Sequence, residues 1–171
     1  MLATPHAAVG AAIGRWVRPP WLAVVVAFFS HFVVDAIPHL DIASFSRTRE
    51  LLPRVYLIQF AIDIPCFIAL MWWLLKVGGP RRTLIFICAF AALGLDVIAL
   101  TWQLLPSSPF TDFLRLIDRP HHRIHSTVWP DQWVLGTLTQ VVTIAISLWI
   151  VSRGRAGRGS PSSRSLPAVS P

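Results

Sequence analysis

The sequence predicts an all-α integral membrane protein, and three observations carry that expectation: its composition, its long apolar runs, and the acids set inside them. Apolar residues make up 54% of the 171 positions and charged residues only 13%. Mean hydropathy is +0.61, far from the averages of soluble domains. Four runs, Trp21 to Ile37, Val55 to Leu75, Thr83 to Leu105 and Trp133 to Val151, each approach the roughly 20 residues that a helix needs to cross a hydrocarbon core. With a short membrane-embedded helix over about residues 5–17, they make one transmembrane domain spanning 1–151.

The opening segment "TPHAAVGAAIGRWVR" offers Thr4 as N-cap and Pro5 as first helical residue. Its basic residues, Arg15 and Arg18, follow the apolar stretch, and no small-residue cleavage pattern comes before the next span. An uncleaved helix is therefore expected instead of a signal peptide. Pro38 ends the first full span, because its ring disfavours helix in the residue before it. The second span carries Asp63 two residues before Pro65, and the third carries Asp96 within "ALGLDVIAL". A loop containing "DRPHHRIHS" leads to the fourth span. The tail 152–171, "SRGRAGRGSPSSRSLPAVSP", has the composition of a disordered segment.

Lys and Arg favour the cytoplasmic side of short loops. With four spans, one side receives Arg15, Arg18, Lys76, Arg81, Arg82, Arg153, Arg155, Arg158 and Arg164, against Arg47, Arg49, Arg54, Arg115, Arg119 and Arg123 on the other. The first group, and with it the C-terminal tail, is placed in the cytoplasm. This arrangement accounts for the net charge of +7, and no nucleic-acid partner is expected. Cys66 and Cys88 lie inside apolar runs and read as buried small hydrophobes, not as a disulfide or a thiolate metal site.

Helical rise converts positions into depths. At about 1.5 Å per residue, His31 and Asp35 lie roughly 9 and 3 Å from the exit of the first span near Ile37, with Asp63 about 12 Å and Asp96 about 13 Å from the same face. His6 falls at a similar depth, roughly 12 Å, if the opening helix is anchored by Arg18 at the opposite side. His31 and Asp35 are four residues apart and share a helical face. His39 and Asp41 follow in the turn, and Asp118, His121, His122 and His125 belong to the last loop on the same side.

An ionised Asp near the centre of a span costs roughly 2.5 to 3.5 kcal/mol on insertion scales, so such residues face partners, water or an ion. A divalent cation neutralises several carboxylates at once and accepts imidazole nitrogen. The ligand candidates are His6, His31, Asp35, His39, Asp41, His121 and His125, with Asp63, Asp96 and His122 as candidates for proton transfer. Mixed His and Asp donors favour Zn²⁺ and also suit Mn²⁺ or Fe²⁺. The bland alternatives are a hydrated kink at Asp63, an Arg or Thr partner for Asp96, and a solvated loop for the three later histidines.

The motifs "TPHAAVGAAIG", "IPHLD" and "HHRIHS" resemble an uncharacterised prokaryotic family of membrane-bound proteins assigned as metal-dependent hydrolases. Members open with a "TPxHxxxGxxxG"-like helix, carry an "LPDxDH"-type segment after the first span, and have an "HRGxTHS"-type segment downstream. His6 matches the opening histidine. His39 stands where an acid is common and Asp41 matches the second acid. His121 or His122, with His125 and Ser126, correspond to the third segment, whose spacing here is shorter and lacks the Gly. The resemblance implies hydrolysis at a metal site in a prokaryotic cell membrane. The depth of that site adds an expectation of a lipid-linked or amphiphilic substrate entering from the leaflet.

No HExxH, GxSxG or P-loop pattern occurs in the chain. Two further classes remain open: a metal or proton transporter using Asp63 and Asp96 as a relay, and a non-catalytic scaffold clamped by metal.

Overall fold

The computed structural model describes residues 2–40 and 52–153. Asp41 and the tail from residue 154 lie outside the described residues. The elements in chain order are α1 (Ala3–Trp16), α2 (Pro20–Asp35), α3 (Leu52–Val77), α4 (Arg82–Ala91), α5 (Gly94–Leu104), α6 (Pro109–Ile124) and α7 (Trp133–Arg153), with short 3₁₀ turns at Gly79–Arg81 and Pro130–Gln132. Among the described residues there is no strand, only a single parallel bridge pairing His39 with Thr127.

Two helical stretches, Leu57–Val77 and Trp133–Arg153, are long and apolar enough to cross a membrane. The run expected as one span over residues 83–105 is broken: α4 and α5 meet at an angle of 45°, and only as a bent pair do they make a third crossing. α2 is apolar but has 16 residues, short of a full span. Of the four expected crossings, two helices have the length and composition of a span among the described residues, or three with the bent pair. Large apolar side chains on α3 and α7, among them Ile58, Ile62, Trp72, Leu138 and Ile146, are exposed, as a lipid-facing surface requires. Cys66 is exposed on α3 and only Cys88 is buried, which corrects the expectation that both are buried.

The opening helix occupies the middle of the fold. α1 packs against α2, α3, α4 and α7, and all of Thr4 to Ala8, Gly10 to Ala12, Gly14 and Arg15 are buried. Its alanines form a core with Leu70, Leu74, Ile85, Ala89 and Val151. Small residues are needed because backbones approach closely. A side chain at Gly10 would overlap the Cys88 carbonyl oxygen, and one at Gly14 would lie 2.9 Å from Ile85 Cα.

The start of α1 is secured from outside. Leu2, not Thr4, is the N-cap residue and supplies no side-chain cap. The free backbone donors at the helix start bond to α3: the N–H groups of Ala3 and Thr4 donate to the Asp63 carboxylate at 2.9 and 3.0 Å, and the Thr4 hydroxyl donates to the same group. Replacing Asp63 with Ala leaves these buried donors unpaired, so a loss of roughly 2–4 kcal/mol in unfolding free energy is expected. Denaturant unfolding in detergent micelles measures it. A stability equal to wild type would show that the cap contributes nothing.

The ends of the helices are sorted. Arg15, Arg18, Arg81 and Arg153 surround a cavity of about 970 Å³ at the end of α1 opposite His6. There Arg81 donates to the Arg15 and Val17 carbonyls and Arg15 to the Gly78 carbonyl.

Candidate metal centre

At the other end, five imidazoles converge on one carboxylate. Asp35, at the last position of α2, is 1% exposed, and around it stand His6 Nε2 at 3.0 Å, His31 Nε2 at 3.2 Å, His121 Nε2 at 2.6 Å, His125 Nε2 at 3.6 Å and His39 Nε2 at 3.9 Å. Asp96 Oδ1 lies 3.5 Å from His31 Nε2. His6, His31 and His39 are fully buried.

Each element delivers its ligand for a local reason. The i,i+4 spacing puts His31 and Asp35 on one face of α2. Breaking the α4–α5 helix has two consequences. α5 begins only at Gly94, so its first backbone bond runs from Val97 N–H to the Leu93 carbonyl and the Ala92 carbonyl is left to accept from His31 Nδ1 at 2.7 Å. Asp96 also falls in the first turn of α5, where the exposed N–H groups favour a negative charge. A close approach of α2 completes the corner, since a side chain at Gly94 would meet the Phe28 ring at 2.7 Å.

The turn after α2 is laced to the segment after α6. Ser126 N–H donates to the Asp35 carbonyl at 2.8 Å, His39 N–H to the Ser126 carbonyl at 3.2 Å, and Val128 N–H to the His39 carbonyl at 2.9 Å. α7 supports the turn from behind: the Thr139 hydroxyl donates to the Pro38 carbonyl and the Gln140 amide to the Leu40 carbonyl, both at 2.8 Å. Gly136 permits that approach, because a side chain there would sit 2.6 Å from the Leu40 nitrogen.

Of the three histidines expected in a loop, His121 and His122 belong instead to a helix, and His125 caps its end. α6 begins with a reciprocal Ser108–Thr111 capping box and buries Thr111, Leu114, Asp118 and His121, positions three, four and three apart that form one helical face. Hydropathy hides this helix because its buried face is mostly polar, while Phe110, Phe113, Leu116 and Ile124 are exposed. Apolar exposed residues interleaved with arginines suit a helix lying in a membrane interface.

The tautomers follow from the partners. A carbonyl only accepts, so His31 Nδ1 and His39 Nδ1 carry the hydrogens they donate to Ala92 and to Ile37, each at 2.7 Å. His121 Nδ1 bonds Asp118 Oδ1 at 2.9 Å, and Asp118 in turn accepts from the Trp102 indole at 2.9 Å. All three rings therefore turn Nε2 toward Asp35. This pattern of outer hydrogen bonds orients metal-binding histidines generally. Burial opposes charge on His121, but its hydrogen bonds to Asp35 and Asp118 outweigh that and raise its pKa above the ordinary histidine value.

The donor set fits a divalent cation. His31 Nε2 lies 3.3 Å from His121 Nε2, and His39 Nε2 3.2 Å from His125 Nε2; two imidazole lone pairs this close need a proton or a cation between them. Two ligands at Zn–N distances of about 2.0–2.1 Å in tetrahedral arrangement stand roughly 3.3–3.4 Å apart. Neither ring nitrogen of the buried His6 makes a hydrogen bond of good geometry, although Nε2 lies 3.0 Å from Asp35 Oδ1, and a buried polar atom left so is costly unless an ion takes it. The groups able to hold an ion are His6, His31 and Asp96; His31, Asp35 and His121; and Asp35, His39 and His125.

Of the ten residues expected from the sequence, seven meet here. Asp63 does not; it caps α1 two residues before His6. His122 stands at the rim, 59% exposed, with Nε2 2.8 Å from Asp118 Oδ2. Asp41 lies outside the described residues. Asp118 is the buried residue bonded to His121 and His122 that is absent from the expected set, although its spacing of three and four residues to them is a helical pairing signal. Compared with protein-family models, curated proteins and solved structures, the chain has no match.

Proposed function

We propose that this chain is a membrane-embedded metal-dependent hydrolase acting on a lipid-linked or amphiphilic substrate. The observation that carries the proposal is the convergence of five imidazoles on the buried Asp35 carboxylate. Zn²⁺ suits these donors best and Mn²⁺ or Fe²⁺ are compatible. When bound, such an ion supplies a Lewis acid and a water of lowered pKa.

The remaining work falls to the chain. His31, His39 and His121 are held as ligands by their Nδ1 bonds. The open side carries His122, 59% exposed, which is placed to accept or return a proton. Arg119 and Arg123 are exposed on α6 and offer a cationic seat for a phosphate or carboxylate headgroup. Phe110, Phe113 and Leu116 are exposed on that helix and offer apolar contact for a tail. By the positive-inside bias, the arginine-lined end and the C-terminal tail face the cytoplasm of a prokaryotic cell and the metal centre faces away.

The test is hydrolysis of lipid phosphate esters, carboxylic esters and amides by detergent-purified protein, before and after chelation. Turnover that is lost on chelation and restored by Zn²⁺ or Mn²⁺ is expected. His122→Ala should lower turnover at least about tenfold, the low end of general acid–base contributions allowing for partial replacement by water, with metal content retained. Absence of bound metal after incubation with either ion overturns the proposal, and activity restricted to soluble substrates overturns the substrate class. A transporter would need polar groups continuing beneath the site. The core packed there, Ala7, Ala8, Ala11, Leu74, Ile85 and Ala89, is apolar.

A further inference from the structure

Coordination chemistry limits how many of these donors a single ion can take. Zinc in proteins is four-coordinate, and a catalytic site keeps one of those positions open. Here five imidazoles and the carboxylates of Asp35 and Asp96 crowd one corner. Even an octahedral ion would leave donors over.

The donors also divide naturally. Of the three groups whose ligand atoms lie within 4.8 Å of one another, His6, His31 and Asp96 form one and Asp35, His39 and His125 a second, while the third, His31, Asp35 and His121, shares one member with each. The first two groups have no member in common, and each consists of two imidazoles and one carboxylate, a set that binds first-row divalent metals with positions to spare. Asp35 lies against both: it is 3.0 and 3.2 Å from His6 and His31, and 3.9 and 3.6 Å from His39 and His125. His121, 2.6 Å from Asp35 and 3.3 Å from His31, sits between them. The buried His6 ring, whose Nε2 lies 3.0 Å from Asp35 Oδ1 without hydrogen-bond geometry, is the donor of the first group that stands closest to the carboxylate.

We infer that the centre holds two divalent cations, one on His6, His31 and Asp96 and the other on Asp35, His39 and His125, with the Asp35 carboxylate as the link between them. This rests on the metal-binding reading above and extends it in ion number and ligand assignment. Paired ions about 3.5–4 Å apart are the arrangement that clamps both the attacking and the leaving oxygen of a phosphate ester. Among the amphiphilic substrates considered, paired ions favour phosphate esters and also serve amide hydrolysis.

The experiment is metal stoichiometry by elemental mass spectrometry on the full chain in detergent, combined with electron paramagnetic resonance of the Mn²⁺-loaded wild type. Two equivalents and an exchange-coupled signal are expected. Asp96→Ala and His125→Ala, both at the less buried edge, should each retain one equivalent and lose the coupling. One equivalent in the wild type overturns the second ion while leaving a metal-dependent enzyme intact. Two uncoupled equivalents overturn the shared carboxylate, and two equivalents retained in both variants overturn the ligand assignment. No bound metal overturns this inference together with the reading beneath it.

Discussion

Asp35→Asn is expected to strip the centre of metal. Asn keeps the size of the side chain but removes the negative charge and replaces one acceptor oxygen with an amide donor. Five imidazoles lie within 3.9 Å of that carboxylate, so no ion bound among them escapes the loss. Outer-shell changes alone cost roughly 10–100-fold in metal affinity, and removal of the central ligand should exceed the upper end of that range. The metal-free protein suffers as well. His121 loses one of the two carboxylates that raise its pKa, and removing one partner of a buried charge pair costs about 3–5 kcal/mol. Elemental analysis and denaturant unfolding, run side by side on wild type, Asp35→Asn and Asp35→Glu, separate the two effects. Glu restores the charge with one extra methylene, so it should recover more stability than metal. A wild-type metal content in Asp35→Asn would remove Asp35 from the centre.

The second large effect is expected far from any ligand. Gly10→Ala places a methyl group onto the Cys88 carbonyl oxygen and 2.8 Å from Ala92 Cβ. Overpacking costs typically 1–3 kcal/mol when side chains can yield; a backbone carbonyl inside α4 yields little, so about 3 kcal/mol or more is expected. The damage should reach the metal, because α4 leads directly into the Ala92 carbonyl that orients His31 at 2.7 Å. Thermal unfolding and metal content should therefore fall together in Gly10→Ala. Cys66→Ala, on the exposed face of α3, serves as the matched control and should leave both unchanged. Normal stability in Gly10→Ala would show that α1 and α4 can separate without cost.

Much of this arrangement was legible in the chain because the quantities involved are local. Apolar run length identified α3 and α7 as candidate crossings, and the rise per residue put His6, His31, Asp35 and Asp96 on one side, within about 13 Å of the same face. The i,i+4 step put His31 and Asp35 on one face. Depth along a helix needs only the chain itself. Direction around the helix axis depends on what packs beside it, and that is where the tertiary structure decided. Asp63 shares the depth of Asp96, yet it turns to the start of α1 because that helix lies against α3. Asp96 reaches His31 because the predicted third span breaks at Ala92 and Leu93, beside Gly94, a break that run length does not mark. α6 escaped hydropathy because the face it buries bears Thr111, Asp118 and His121, polar groups that become core only once Asp35 and Trp102 are there to pair with them. The sequence by itself predicted a membrane chain with its imidazoles and acids toward one end and the larger share of its basic residues, nine against six, at the other. Packing alone determined which of those acids faces the imidazoles, because a helix carries its own axial coordinate but takes its rotation from its neighbours.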